Sequence, residues 1–179
     1  MKLTLVALAA ALATGLACAQ PATDHGAHQH ADHAQHMAQR QAEVSQRGKD
    51  VMPFDLAATQ HVFTKTKDGG VQQVLARRGK DREQVRLVRE HLKDIHARFR
   101  QGDFAGPAHI HGHDMPGLHE LQAAPPGAVR IAYRQLPAGA ELVFTSKDRK
   151  LVAAIHRWFD AQVADHGHDA MAGHAHGHR

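Results

Sequence analysis

Two short stretches, "HVFTKT" (61–66) and "VQQVLAR" (71–77), carry apolar residues at strand-like intervals on either side of Asp68-Gly69-Gly70. That arrangement predicts a β-hairpin whose turn glycines tolerate positive φ. From residue 81 the period lengthens: Val85, Val88, Leu92, Ile95 and Phe99 recur at helical spacing, Asp81 with Gln84 three residues on suits an N-cap, and Gly102 suits a stop. The same order then returns. "AVRIAYRQL", the Pro137-Ala138-Gly139 turn and "AELVFTS" predict a second hairpin, and "DRKLVAAIHRWFDAQVADHG" predicts a second helix. Its apolar stripe is Val152, Ile155, Phe159 and Val163, with Trp158 beside it and Gly167 as its end.

Two ββα units follow, and the expected fold class is α+β: an antiparallel sheet with both helices packed on one face, spanning residues 52–167. Outside that span large apolar residues are scarce. Residues 20–51 are expected to form a histidine-rich arm, partly helical or disordered, and residues 168–179 a disordered histidine-rich tail. The Ala- and Gln-rich stretch 30–47 suits a helix with His30, His33, and His36 or Met37 on one side.

The first nineteen residues, "MKLTLVALAAALATGLACA", have the charged start, apolar run and small-residue end of a secretory signal peptide cleaved after Ala19, which implies the periplasm. The run is shorter than the roughly 20 residues that span a bilayer, and no later segment is long and apolar enough to cross one. Cys18, the one cysteine, is an alternative lipoprotein site, although Gly15 replaces the usual Leu upstream of it. Cleavage after Ala19 leaves no thiol, and so no thiolate metal site and no cysteine nucleophile.

Charge adds little, because 22 Lys plus Arg are interleaved with 18 Asp plus Glu; no nucleic-acid partner is implied. Histidine changes the picture, at 18 residues. One group runs from His25 through His28, His30 and His33 to His36; another holds His109, His111, His113 and His119; a third holds His166, His168, His174, His176 and His178.

The middle group lies in the crossover "AHIHGHDMPGLHE". If that segment is extended, period-two alternation puts His109, His111 and His113 on one face, where imidazoles converge on an ion. Gly112 lets the chain bend, Asp114 serves as oxygen ligand or as N-cap of a short helix beginning near Pro116, and Met115, His119 and Glu120 complete a mixed donor set. The arms add weak, exchangeable sites. His156 and Asp160, at i and i+4 on the second helix, form either a steered metal ligand or a surface pair. His91 and His96 flank the first helix's stripe as boundary residues, and His61 opens a strand without an evident task.

Met37, Met115 and Met171 each lie in or beside a histidine group, leaving only Met52 elsewhere in the mature chain. Thioether and imidazole suit copper, as Cu(I) or Cu(II), in an oxidising compartment; zinc is the other cofactor these ligands take. The expected function is sequestration, buffering or delivery of metal, with a periplasmic metal transporter or exporter as partner. The alternatives are a zinc-dependent hydrolase using Glu120 or Asp114 as base, and a partner-binding module of a metal-resistance system. Neither GxSxG, SxxK, Walker nor GxGxxG patterns occur.

The segments "GDFAGPAHIHGHDMPGL" and "AAIHRWFDAQVADHG", with "GGVQQV" before them, resemble a family of small secreted bacterial proteins of uncertain function, over most of residues 52–167. Relatives often carry the name aspartate carbamoyltransferase. The name implies transfer of a carbamoyl group to aspartate, but that enzyme's STRTR-type phosphate loop and HPxQ stretch are absent, so no catalytic residue is carried over.

Overall fold

A computed structural model describes residues 25–174, with side chains from residue 32 onward. The expected signal peptide with Cys18, and His176 and His178, lie outside the described residues, as do the side chains of His25, His28 and His30. The elements in chain order are α1 (His25–Val51), β1 (Thr59–Thr66), β2 (Gly69–Ala76), α2 (Arg82–Phe99), α3 (Ala105–His111), α4 (Leu118–Gln122), β3 (Arg130–Leu136), β4 (Gly139–Thr145), α5 (Arg149–His166) and β5 (Ala170–Ala172). The fold class is α+β, a five-stranded mixed sheet with helices packed around it. Among the described residues no helix is long and apolar enough to cross a membrane.

Both hairpins form where the pattern placed them, Thr66 pairing with Gly69 in the first and Leu136 with Gly139 in the second. They join through β2 and β4, and the strand order is β3-β4-β2-β1-β5. An all-antiparallel sheet is therefore corrected at one edge: β5 runs parallel to β1, with His61 opposite Ala170. Residues 170–172, assigned to a disordered tail by composition, are ordered by that pairing. The chain turns at Gly167 (φ 54°), and Gly173 N–H donates to the Phe63 carbonyl at 2.9 Å. A Cβ on Gly173 would fall 2.0 Å from Thr64 Oγ1, so only small residues let this strand come so close.

On α2, Asp81 accepts from the Gln84 N–H at 3.1 Å, and Val85, Val88, Leu92 and Phe99 are buried. The helix ends at Phe99, three residues before the expected Gly102 stop. On α5 the buried stripe is Leu151, Ala154, Ile155, Trp158, Phe159, Gln162, Asp165 and His166, turned away from the expected Val152 and Val163, which are half-buried. Trp158 sets that rotation, because its ring meets Phe99 and Phe104 at 5.9 Å and Phe144 at 5.6 Å between centroids, in edge-to-face contacts.

Helix α1 is longer than the stretch predicted over 30–47. From Arg40 onward its half-buried and buried positions, Gln41, Val44 and Gly48 among them, recur every three or four residues and lie on α3 and α5. His33 and His36 precede that stripe and are exposed, while Met37 is half-buried.

The crossover departs furthest from expectation. Residues 105–111 are helical, and two residues along a helix are about 200° apart around its axis, so His109 and His111 cannot share a face. Buried Phe104, Ala108 and His111 follow a helical spacing that the period-two reading of the histidines hid. Gly112 (φ 91°) ends the helix. Helix α4 begins at Leu118 behind Gly117, not near Pro116, and Asp114 caps nothing. Gly117 is required there: its φ is 81°, and a Cβ would stand 2.2 Å from the Ala154 carbonyl oxygen of α5.

Candidate functional site

On β1 the residues facing the helices are Thr59, His61 and Phe63, all buried. His61 thus occupies an inward strand position among apolar neighbours. Its ring stacks on His166, centroids 5.1 Å apart and planes 5° from parallel. His111, at the end of α3, meets His166 edge-on at 4.9 Å. Three imidazoles from three distant segments therefore meet in the interior, and each is less than a tenth exposed.

One of them is oriented by a carboxylate. His111 Nδ1 donates to Asp165 Oδ2 at 2.8 Å, which fixes the tautomer and leaves the lone pair on Nε2. Arg40 of α1 closes the group, its Nη2 donating to Asp165 Oδ2 at 2.8 Å and to the His111 carbonyl at 3.2 Å. Burial pushes the Asp165 carboxyl up, but the hydrogen bonds from His111 and Arg40 outweigh it and hold the group below its usual range.

Burial acts in the opposite sense on the other two rings. It lowers His61 to about 4, with His91 nearby adding to the effect, a hydrogen bond from the ring to the Asp169 backbone carbonyl opposing it, and His111 lowering it further. His166 is pushed well below its ordinary value, first by burial and then by the neighbouring His61 and His111. Both imidazoles are neutral at pH 7, the form in which a histidine binds metal.

The rings border a cavity of about 50 Å³, which is also lined by Met52, Gln72, His91, Trp158 and Gln162. That volume takes one ion or one to a few waters and is far below the roughly 300 Å³ at which small-molecule pockets begin. Three residues of this wall carry a buried polar atom, His61 Nδ1, Gln72 Oε1 and Trp158 Nε1, with no hydrogen-bond partner among the described residues. Each such atom costs about 1–3 kcal/mol unless an occupant satisfies it. Two present lone pairs, which suits a cation or a water; the indole N–H donates and suits a water or an anion beside that cation.

Two imidazoles on one tetrahedral ion, at metal–nitrogen bonds of about 2 Å, have ring centres roughly 5 Å apart. The two separations above match that spacing; the ring orientations do not. Among the described residues no group of three or more His, Cys, Asp or Glu side chains is arranged around a single point. Two parallel stacked rings aim past one another, so one of His61 and His166 has to turn about χ2, a broad torsion for imidazole, to share an ion.

The structure brings two of the sequence-predicted ligands, His111 and His166, to this place. The remaining crossover candidates lie elsewhere. His109, His113, Asp114, His119 and Glu120 are exposed, His109 Nε2 stands 3.6 Å from Asp50, and Glu120 accepts from Arg157 Nη2 at 2.7 Å. Met115 is 2% exposed within the core. His156 and Asp160 do not pair: His156 Nε2 is 2.9 Å from the Thr66 and Gly69 carbonyls, and Asp160 binds Lys65 at 2.7 Å. His168, Met171 and His174 are exposed, with His168 Nε2 3.2 Å from Asp169.

No family model, no curated protein and no solved structure matches this chain.

Sequence reasoning missed His61, His91, Met52, Gln72, Asp165 and Arg40. One signal was available. His61 shares a face with Phe63 at the start of a predicted strand, and a polar ring on an apolar face calls for a buried partner.

Proposed function

We propose that the protein binds a transition-metal ion, copper in preference to zinc, and that the ion sits in the interior between His61, His111 and His166 instead of on the crossover loop. The observation that carries this reading is the meeting of three buried imidazoles, one steered by a buried carboxylate, on an ion-sized cavity with orphaned lone pairs. A carboxylate behind a ligating histidine raises its basicity and fixes its direction. Copper heads the affinity order of divalent ions for imidazole.

The task that fits is holding or passing on metal in the periplasm, in exchange with a transporter or exporter there, while the exposed histidines of α1, the crossover and the C-terminal segment supply weak collecting sites. The hydrolase alternative gains no support. Glu120 is engaged by Arg157, Asp114 is at the surface, and the cavity has no room for an organic substrate beside an ion.

Trp158 is the single tryptophan and lines the cavity, so its fluorescence reports on the interior alone. Titration of the full mature chain with Cu(II) or Zn(II) should change that emission with saturation at one equivalent, and His61→Gln, His111→Gln and His166→Gln should each weaken binding so that the change no longer saturates there. Metal uptake that leaves Trp158 silent, or a response that survives all three substitutions, overturns the reading.

A further inference from the structure

The methionine that stands apart from every histidine group in the sequence is the one that lines the histidine cavity. Met52 follows the last residue of α1 and is 7% exposed. Its N–H donates to the Gly48 carbonyl at 2.8 Å, continuing the helical turn. A Cβ on Gly48 would fall 2.6 Å from the Met52 methyl, so the absence of a side chain at 48 gives the thioether its seat. The side chain forms one wall of the same cavity as His61, His111 and His166.

We infer that Met52 is the sulfur ligand of this site and that the ion it serves is Cu(I), bound by the thioether and imidazole nitrogens. This rests on the metal-binding reading above and specifies its ion. Two independent observations point to the monovalent state. The first is the donor set, since thioether sulfur with neutral imidazole is soft and selects Cu(I) over harder divalent ions. The second is charge. The site's one carboxylate, Asp165, is already neutralised by Arg40, so no net negative charge offsets the ion. The Born cost of burial grows with the square of the charge, so a dication costs about four times as much as Cu(I) to place in such surroundings. Binding here is ligand exchange only: copper arrives reduced, leaves its carrier and takes up lone pairs from sulfur and nitrogen, with no electron transferred.

The test uses the full mature chain under anaerobic conditions, with Cu(I) delivered from a chromogenic Cu(I) chelator and Zn(II) titrated separately, both followed at Trp158. Met52→Leu keeps the volume and apolar character of the side chain and is expected to leave the fold intact. It should weaken Cu(I) binding about tenfold or more and leave Zn(II) binding unchanged. X-ray absorption at one equivalent of Cu(I) should show a sulfur neighbour in the natural protein and none in Met52→Leu. Unchanged Cu(I) affinity in Met52→Leu, equal losses for Cu(I) and Zn(II), or a spectrum without sulfur overturns the inference while leaving a histidine metal site standing. Trp158 silent to both ions overturns the site itself.

Discussion

The histidines of the crossover and those of the interior have opposite circumstances. His109, His113 and His119 are close in sequence and exposed; His61, His111 and His166 are far apart in sequence, buried, and joined by ring contacts through His166. Density along the chain measures how often a residue type occurs, whereas a tight site needs rings whose conformations are already restricted by packing. His111 belongs to both groups, and its helix decides which set it joins. One end of the contrast is a set of solvated rings at the surface; the other is a set of rings packed against one another in the interior.

The contrast breaks most sharply at Asp165. Asp165→Ala strands Arg40 and His111 without their shared carboxylate, and urea unfolding should register a loss of about 3–5 kcal/mol, the usual consequence of removing one partner of a buried pair. Next in size, His111→Gln should lower the affinity of the tightest copper by about a hundredfold, roughly 3 kcal/mol, in a chelator competition. The smaller Asp165→Asn change should lower it by about ten- to a hundredfold, since it acts only through the orientation of His111.

Acid distinguishes the two groups in the metal-free protein. The folded state holds His61 at about 4, below the ordinary 6.5, so between these values the unfolded chain binds more protons than the folded one. Stability is therefore greatest above pH 6.5 and declines as the pH falls from 6.5 toward 4, by roughly 3 kcal/mol from His61 alone, with His166 acting in the same direction. His61→Phe should flatten that decline in a series of urea melts. The smallest effect belongs to the surface: replacing His109, His113 and His119 together by Ala should shift stability by no more than about 0.5 kcal/mol and leave the tightest site unchanged.

Periodicity was the legible part of the fold. Both hairpins, α2 with its Asp81 cap and α5 with its Gly167 end are written in local spacing, because each buries one face against the sheet. The edge strand at Ala170–Ala172 was not legible. Two alanines around one exposed methionine make no hydrophobic pattern, and their order comes from pairing with the edge of β1. The crossover misled because alternating histidines mimic a strand, while the helical signal of Phe104, Ala108 and His111 runs through only two large side chains. In the site, His111 and His166 were legible as histidines in clusters. His61 and Met52 were not, because what gives them meaning is a cavity assembled from β1, α1, α3 and α5, and no local spacing encodes it.

The central claim is a location, and a crystal structure of the copper-loaded protein at one equivalent, with data collected at the copper absorption edge, tests it directly. The account predicts one strong anomalous peak among His61, His111 and His166, with one of the two stacked rings turned toward it. A peak on His109, His113 or His119, with the rings of His61 and His166 still stacked in parallel, would contradict it.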